Sequence, residues 1–493
     1  MSYILSIDQG TTGTTVSLVN SQGKIAFDSA QDFEQIYPQP GWVEHNPDSI
    51  WKTVEACTKD LLSRSGVQPS EIKAIGITNQ RETVIVWDRK THKPVYNAIV
   101  WQCRRTTDFC KKLQKYKKKI SAKTGLVIDP YFSASKIRWI LDNDKSLKSR
   151  VKNAELACGT IDTFLIWKLT SGSSHVTDVS NASRTQLMNI KTGKWDAELL
   201  KIFGVDKNLL PEIKPSSGVL GHTQGLSFLP DGIPIAGVAG DQQAALFGQA
   251  CFDVGEAKCT FGTGSFMLMN TGSKMVLSKS GLLTTVAWQL AGDKNLTYAL
   301  EGSVFICGAA VQWLRDNMMF IRQSPEVEEL AKEVTDSAGV EFVPALTGLG
   351  APYWNPEARG VICGLTRGTT RAHIARATLE SMALQNTDVL LAMQKDLKKN
   401  LKKLKVDGGA AANNLLMQIQ SDYLNVETIR PSSVETTSLG AAYLAGIGVG
   451  LWKGVQDIRR IWNIDRVFKP QMNPQKRKER FARWHKAIER AQI

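Results

Sequence analysis

Short apolar runs bounded by glycine alternate with segments of helical periodicity along this chain. Near the N-terminus, apolar runs at residues 3–7 and 15–20 flank a Gly- and Thr-rich turn at 9–13. β-Branched and apolar residues bounded by glycine predict two paired strands. Further strands are predicted at 72–78 and 83–87, and helices at 134–141 and 161–169. The pattern therefore predicts an α/β protein.

The opening pattern recurs past the middle of the chain. A strand at 255–260, a Gly/Thr turn at 261–265 and a strand at 266–270 repeat the first hairpin, which indicates two related halves. A buried strand at 232–240 and a helix at 242–249 close the first half. We therefore predict two closely apposed domains, at 1–250 and 251–493, with a charged amphipathic helix at 476–491.

Length and composition fit this division. The chain has 493 residues, 42% of them hydrophobic and 22% charged, which is enough material for two cores of a globular protein. No apolar stretch is long enough for a bilayer span, and the N-terminus lacks the basic region of a secretory signal. Eight cysteines without a C-x-x-C pair are typical of buried thiols in a reducing compartment, so we expect the cytoplasm.

The chain is basic, with a formal net charge of +14. Lysine and arginine cluster at 111–119, 402–405 and 476–480. Such clusters occur in proteins that bind nucleic acids or membrane surfaces, but a charge run is more often a solvated helix face. A protein that handles phosphorylated substrates needs no further partner to explain the charge. We expect no nucleic acid partner and no stable membrane insertion.

Three Gly-rich turns are candidates for binding phosphate. In Asp8-Gln-Gly-Thr-Thr-Gly13, glycine lets the backbone approach an anion, threonine hydroxyls donate, and Asp8 is placed to hold a hydrated Mg²⁺. Phe261-Gly-Thr-Gly-Ser265 offers the same chemistry from the second half, and 406–414 reads as a strand end that leads into a helix. Taken alone, each of these turns could equally be an ordinary connection between two elements that binds no ligand. No P-loop sequence occurs.

Two further segments are candidates for an acceptor site. Asp241 is either the N-cap of the following helix or a general base at the mouth of a cleft. Arg81 and Glu82 form either an exposed loop or a rigid donor and acceptor pair for a polyol. Trp101 and Tyr131 belong either to the core or to the same pocket.

Long ordered strings in the chain resemble the FGGY carbohydrate kinase family, and within it the members that phosphorylate glycerol. The resemblance covers nearly the whole chain and includes Asp8-Gln-Gly-Thr-Thr12, Gly76-Ile-Thr-Asn-Gln-Arg-Glu-Thr83, Gly240-Asp-Gln-Gln-Ala-Ala-Leu-Phe-Gly248 and Gly348-Leu-Gly-Ala-Pro-Tyr-Trp354. It implies two ribonuclease-H-like domains of the actin-like ATPase fold with the active site in the cleft between them. It also implies a homodimer.

The resemblance implies that MgATP is the donor, glycerol the acceptor, and sn-glycerol 3-phosphate and ADP the products of the first step of glycerol degradation. Asp241 would be the general base and Asp8 would act through the hydrated Mg²⁺. The remaining substrate residues would be Arg81, Glu82, Trp101, Tyr131, Gln242 and Phe266. The nucleotide residues would be Thr11, Thr12, Gly13, Thr263, Gly308, Gln312, Gly409 and Asn413.

Two departures from the family pattern concern phosphate binding and regulation. The chain has Gly13-Thr14-Thr15 where such kinases often have Ser-Ser-Arg, so an arginine near the phosphates is missing. The segment 222–232 lacks the Gly-Gly-Arg that binds fructose 1,6-bisphosphate in some bacterial relatives, so we expect no inhibition by that sugar. We also expect no phosphorylation of His222 by a phosphocarrier protein.

Three alternative functions remain open at this stage. The nearest is an FGGY kinase for another polyol or sugar, such as xylulose or gluconate. A second is a non-catalytic, ATP-switched binding protein on the same actin-like fold. A third is a nucleic-acid or membrane-surface binder that uses the basic clusters.

Overall fold

The computed structural model describes residues 2–492 and contains two large twisted sheets, one in each half of the chain. The strands of the first half are β1 Tyr3–Gln9, β2 Gly13–Asn20, β3 Ile25–Asp32, β4 Glu44–His45, β5 Ile72–Asn79, β6 Val84–Asp88, β7 Ala98–Ile99, β8 Leu156–Thr160, β9 Val176–Asp178, β10 Met188–Asn189, β11 Lys194–Trp195, β12 Glu212–Lys214, β13 Ser217–His222 and β14 Pro234–Gly240. Its helices are α1 Pro47–Ser65, α2 Thr107–Lys112, α3 Lys117–Thr124, α4 Ser133–Asn143, α5 Leu147–Lys152, α6 Ile161–Leu169, α7 Val179–Ser183, α8 Ala197–Phe203 and α9 Asp241–Gly248.

The second half contains fewer and longer elements. Its strands are β15 Ala257–Phe261, β16 Ser265–Gly272, β17 Leu283–Trp288, β18 Thr297–Val304, β19 Glu341–Val343, β20 Val361–Cys363, β21 Lys403–Asp407, β22 Glu427–Pro431 and β23 Ile464–Phe468. Its helices are α10 Gly308–Asp316, α11 Glu326–Lys332, α12 Arg371–Leu397, α13 Asn414–Leu424, α14 Thr436–Gly448, α15 Val455–Ile461 and α16 Pro474–Ala491.

The two large sheets share six strands of the same topology, and the second sheet has one additional edge strand, β17. The first has the order β13-β14-β5-β1-β2-β3, and the second has the order β17-β18-β16-β15-β21-β22-β23. In each, a strand pairs antiparallel with the next strand of its hairpin and parallel with the strand on its other side. Each sheet ends, beyond its parallel strands, in one antiparallel strand, β13 or β23. This is the ribonuclease-H-like arrangement, present twice, and it confirms the predicted actin-like fold.

Helices cover both faces of the first sheet, so its central strand β1 is buried along almost its whole length. On β1, Leu5 and Ile7 join the core under α1, whereas Ile4 faces the opposite side and packs in a cluster with Tyr443 of α14. Helix α1 begins where the Asn46 side chain accepts the N–H groups of residues 48 and 49. It ends at Gly66, whose φ of 66° suits the left-handed C-cap.

One helix from the second half of the chain, α14, packs on a face of the first sheet. Helix α14 packs on β1, β5 and β14 and lies against α9, which also touches β15, β16 and β17 of the second sheet. The pair α9–α14 is therefore the contact layer between the two halves. Helix α14 lies beyond residue 250 in the sequence, but it packs on the first sheet. The domain division at residue 250 stays a prediction.

Glycines permit the close approach of these two helices. A Cβ at Gly440 would lie 1.9 Å from the carbonyl oxygen of Ala244, and a Cβ at Gly248 would lie 2.0 Å from that of Thr436. The underlying sheet approaches α14 equally closely, because a Cβ at Gly237 would lie 2.2 Å from the amide nitrogen of Ala445. Only residues without a side chain fit at these contacts.

The elements predicted from the sequence are confirmed, each with ends within two residues of the prediction. All eight cysteines are unpaired and seven of them are buried. None of the helices between residues 2 and 492 combines the length and the apolar character that a bilayer span needs.

Two of the basic clusters are less exposed than the sequence suggests. Lys405 is buried and donates to the carbonyl oxygens of Gln249 and Ala250 at 2.8 and 2.9 Å. Arg480 is buried in ion pairs with Glu341 and Glu380. Both cations therefore support the fold, and the surface charge available to a polyanion is smaller than the sequence count implies.

We predict that Gly440→Ala destabilises the protein. Alanine normally favours a helix over glycine by about 1 kcal/mol, but the added methyl group would overlap the backbone of α9. We expect a net loss of about 1–3 kcal/mol, as for overpacked cores, measured as a lower Tm. Gly368→Ala is the control, because its Cβ would meet nothing closer than 3.9 Å. An unchanged or higher Tm for Gly440→Ala would show that the helices separate freely.

Candidate active site

The candidate residues of the first half meet at one edge of its sheet. Strands β1, β5 and β14 are parallel neighbours, so their carboxyl ends lie side by side. Asp8 ends β1, the loop with Arg81 and Glu82 follows β5, and Asp241 follows β14 as the first residue of α9. In open α/β sheets this edge is where ligands bind. The topology thus brings together residues that are far apart in sequence.

Of the two alternatives for Arg81 and Glu82, the exposed loop is wrong. Both side chains are buried, with 2% and 1% of their surface exposed. Glu82 has a positive φ of 63°, an uncommon backbone conformation that surrounding contacts must hold in place. Its carboxylate accepts a hydrogen bond of 2.6 Å from Nε of Arg184, which is also fully buried.

A carboxylate from the second half holds Arg81. Glu301, on β18, receives Nη1 of Arg81 at 2.6 Å and Nη2 at 3.0 Å, a bidentate pair. Glu301 also receives Nη2 of Arg184 at 3.0 Å. Glu82 and Glu301 therefore alternate with two arginines in one buried network, and the network spans both halves of the chain.

Charge balance in this network shifts the pKa of its carboxyl groups. Burial alone raises the pKa of Glu301, but the positive charges of Arg184 and Arg81 outweigh it and lower the pKa to about 2. For Glu82, burial dominates and raises its pKa, although Arg184 and Arg81 oppose the shift. Glu301 is consequently the firmly ionised partner of both arginines.

Asp241 faces the cleft. Its side chain is 33% exposed, and its Oδ1 lies 3.1 Å from Nε of Arg81. The N-cap of α9 is Gly240, not Asp241, so the N-cap alternative does not describe this residue. Oδ1 accepts the backbone N–H of Gln242 at 2.7 Å, and Oδ2 accepts the side-chain amide of Gln242 at 3.2 Å. The carboxylate is thus oriented by two neighbours and open to a third group.

Three aromatic residues are predicted for the acceptor pocket, and two of them, Trp101 and Tyr131, pack together. The rings of Trp101 and Tyr131 pack edge to face with centroids 5.5 Å apart. The indole N–H of Trp101 donates to the hydroxyl of Thr11 at 3.0 Å, so it connects the pocket to the first phosphate turn. Phe266 lies on β16 of the second sheet, opposite Thr260 in the hairpin register.

Each phosphate turn is closed by a backbone hydrogen bond, and the second turn is one residue shorter than the first. In the first, the N–H of Gly10 bonds the carbonyl of Gly13 at 2.9 Å, and in the second, that of Gly262 bonds Gly264 at 2.9 Å. Thr12 is exposed, as is Thr263. The departure at position 13 has a steric reason, because a Cβ there would lie 2.6 Å from Oδ1 of Asp32.

A cavity of about 460 Å³ lies in the second half beside the second turn. Five of the eight predicted nucleotide residues line it, namely Thr263, Gly308, Gln312, Gly409 and Asn413. Leu379 and Met382 of α12 give it an apolar wall, and Glu328 accepts the N–H groups of residues 414 and 415 at the start of α13. An apolar slot with polar groups at one end suits a nucleoside.

Asp8 fits the role of a ligand to hydrated Mg²⁺. Burial, together with the negative charges of Asp241 and Glu435, raises the pKa of Asp8 to about 7. Such a concentration of negative charge favours a divalent cation, which in turn favours the ionised carboxylate. No group of three or more metal-binding side chains occurs in the described chain. Mg²⁺ does not require one, because it commonly binds through one or two carboxylates, waters and substrate phosphates.

Sequence reasoning missed three residues of this region: Arg184, Lys258 and Glu301. No motif marks them, and Glu301 lies 220 positions from Arg81. The available signal was indirect. Arg81 and Glu82 follow a strand that must be buried, and a buried arginine requires an anionic partner.

Two family models match the chain along most of its length. The N-terminal domain model of the FGGY family of carbohydrate kinases matches residues 3–248, and its C-terminal domain model matches residues 257–449. The chain belongs to the FGGY family of carbohydrate kinases. The predicted family is therefore confirmed, and with it the two-domain kinase fold.

Individual FGGY kinases resemble the chain over its full length. Glycerol kinase from Bdellovibrio bacteriovorus is 59% identical over 491 residues, which cover 99% of each chain. The crystal structure of Plasmodium falciparum glycerol kinase with ADP has a TM-score of 0.95 and 40% identity, over 100% of this chain and 99% of that one. Ligand-bound xylulose kinase from Lactobacillus acidophilus, at 24% identity and a TM-score of 0.87 over 99% and 97% of the chains, shows the fold alone.

We predict that Glu301→Gln destabilises this FGGY kinase by about 3–5 kcal/mol near neutral pH, because it leaves two buried arginines without their shared anion. Denaturant unfolding measures the change. Glu55→Gln is the control, since Glu55 forms an exposed pair with Lys59, and its loss should cost at most about 1 kcal/mol.

The loss of unfolding free energy caused by Glu301→Gln should depend on pH. The pKa of Glu301 is depressed from 4.5 to about 2, so its ionisation contributes stability above 4.5 that is lost as the pH falls through 2. The difference in unfolding free energy between wild type and variant should therefore shrink over that interval. A difference that stays constant would contradict the ion-pair account.

Proposed function

We propose that this protein transfers the terminal phosphoryl group of ATP to a terminal hydroxyl of glycerol, giving sn-glycerol 3-phosphate and ADP. The observation that carries the proposal is the pair of buried side chains Arg81 and Glu82 beside the cleft-facing Asp241, in a chain 59% identical to a glycerol kinase over its full length. Glycerol offers three hydroxyl groups, and this set offers a donor and two acceptors at one small pocket. The reaction begins the use of glycerol as a nutrient.

The acceptor pocket favours a small polyol. Glu82 is fixed by Arg184, and Arg81 is fixed by Glu301, so neither side chain has to be ordered when glycerol binds. Trp101, Tyr131 and Phe266 flank the carbon chain, and Gln242 lies beside the phosphorylated end.

Two turns and one cavity form the donor site. Thr11, Thr12 and Gly13 of the first turn, with Thr263 of the second, bind the phosphates. Gly308, Gln312, Gly409 and Asn413 contact the rest of the nucleotide in the 460 Å³ cavity. Asp8 holds hydrated Mg²⁺, which when bound neutralises phosphate charge.

Phosphoryl transfer depends on positioning and on charge stabilisation. Asp241 accepts the proton of the attacking hydroxyl, and its two oxygens are already oriented by Arg81 and Gln242. Closure of the cleft excludes water, which otherwise competes as an acceptor. Arg81 thus serves two roles, since it binds glycerol and fixes the base.

Several expectations stay predictions. These are the homodimer, the cytoplasmic location, the absence of a nucleic acid partner, the domain division at residue 250 and the insensitivity to fructose 1,6-bisphosphate. Among the alternatives, a kinase for xylulose or gluconate is disfavoured by the 59% identity to a glycerol kinase over the full length of the chain. A non-catalytic ATP switch is disfavoured by Asp241, which is exposed to the cleft with its carboxylate oriented.

The proposed substrate is tested by ADP release from MgATP with glycerol, dihydroxyacetone, xylulose, gluconate or no acceptor. We expect turnover with glycerol far above the others. Higher turnover with a sugar would retain the nucleotide site but overturn the acceptor assignment. ATP binding without turnover on any acceptor would favour the ATP-switched binding protein.

We predict that Asp241→Asn lowers kcat by about 10²–10⁴-fold, because the amide cannot accept the proton of the attacking hydroxyl. ADP affinity and Tm should stay near those of the wild type, since the variant keeps the size of the side chain. Asp108→Asn, at a side chain that is 87% exposed, is the control for the chemical change. Near-normal turnover of Asp241→Asn would reduce Asp241 to a structural residue.

A further inference from the structure

Lys258 is a buried cation beside the candidate base. It lies on β15, has 0% of its surface exposed, and its ammonium group donates to Oε1 of Gln242 and to the hydroxyl of Thr260, the latter at 2.8 Å. Both acceptors are neutral. Among the described residues, no carboxylate lies within ion-pair distance of this ammonium group. Burying a cation without an anionic partner costs free energy, so its position requires an explanation.

The hydrogen bond from Lys258 decides which way the amide of Gln242 points. Oε1 of Gln242 faces the ammonium group, so its Nε2 faces Oδ2 of Asp241 at 3.2 Å. The flipped amide would set donor against donor at Lys258 and acceptor against acceptor at Asp241. Both hydrogen bonds would be lost together, so one orientation is strongly preferred.

We propose that Lys258 is a positioning residue for phosphoryl transfer, which orients Asp241 by fixing the amide of Gln242. This inference rests on the proposed function, because it takes Asp241 as the base. Lys258 itself touches neither glycerol nor nucleotide in this role. Arg81 and the backbone of Gln242 hold one oxygen of Asp241, and the chain from Lys258 through the side chain of Gln242 holds the other.

A neighbouring lysine provides a matched control. Lys405 lies directly beside Lys258 in the register of β15 and β21 and is also buried. It donates to two backbone carbonyls at the far end of α9, not to a side chain of the site. Burial lowers the pKa of Lys258, while the negative charges of Asp407 and Asp241 oppose the shift. The two lysines are thus adjacent and both buried, but Lys405 holds backbone carbonyls and lies 3.9 Å from Glu256, whereas Lys258 holds the side chain of Gln242.

The test compares Lys258→Met with Lys405→Met by steady-state kinetics with glycerol and MgATP. We expect Lys258→Met to lower kcat by about 10- to 100-fold, the range for losing a charge-assisted hydrogen bond, and to change either KM by less than about 3-fold. Lys405→Met should lower Tm and leave the kcat of the folded fraction near wild type. Equal kcat values for Lys258→Met and wild type would overturn the proposal.

A double-mutant cycle separates orientation of Gln242 from other roles. If Lys258 acts through Gln242, adding Lys258→Met to Gln242→Met should lower kcat by less than about 3-fold further. If the loss of kcat in the double variant equals the product of the two single losses, Lys258 acts independently of Gln242, for example on the transferred phosphoryl group. That result would overturn the proposal.

Thr260→Val covers the outcome in which Lys258→Met does not fold. This substitution keeps the charge and the β-branched shape but removes the second acceptor of Lys258. We expect a kcat loss of about 2- to 10-fold that disappears in the Gln242→Met background. A loss that persists in that background would overturn the proposal. Failure of the wild type to phosphorylate glycerol would instead reject the proposed function, so the two failures are distinguishable.

Discussion

The ion pair between Arg81 and Glu301 is the interaction on which the rest of the site depends. Arg81 is supplied by the first half of the chain and Glu301 by the second, and both are almost fully buried. Arg81 also contacts Asp241, so the same guanidinium joins the two halves and orients the candidate base. Because a buried arginine needs its anion, the acceptor pocket is formed only where the two sheets meet.

The packing between the halves serves the same geometry. Helix α9 starts at Asp241 and runs between the two sheets, where glycines let α14 approach its backbone. The base therefore sits at the end of a helix whose axis is fixed from both sides. Positioning within fractions of an ångström, which phosphoryl transfer demands, follows from packing that tolerates no extra methyl group.

Much of the fold was predictable from the sequence, because it depends on local signals. Strands such as β1 are apolar runs that end at glycine, and the repeat of the hairpin at 255–270 indicated two related halves. The placement of α14 on the first sheet was not predictable, since an apolar helix gives no information about which sheet it covers. Its small residues are the only local sign of close packing.

The candidate site was predicted in part. Residues next to glycine-rich turns, such as Asp8 and Thr263, have a local signature, and the family resemblance supplied Arg81, Glu82 and Asp241. Glu301 and Lys258 carry no such signature, because each is recognised only by the distant group that it contacts. Burial of Arg81 and Glu82 also could not be read from two adjacent charged residues, which in most chains lie on the surface.

The most direct test of the account is a crystal structure with glycerol, Mg²⁺ and a non-hydrolysable ATP analogue. The account predicts glycerol between Arg81, Glu82 and the Trp101 ring, with one terminal hydroxyl within hydrogen-bond distance of Asp241 and in line with the terminal phosphate. The Arg81–Glu301 pair should be intact in that complex. Glycerol bound away from Arg81, or Asp241 turned from the hydroxyl with the pair broken, would contradict it.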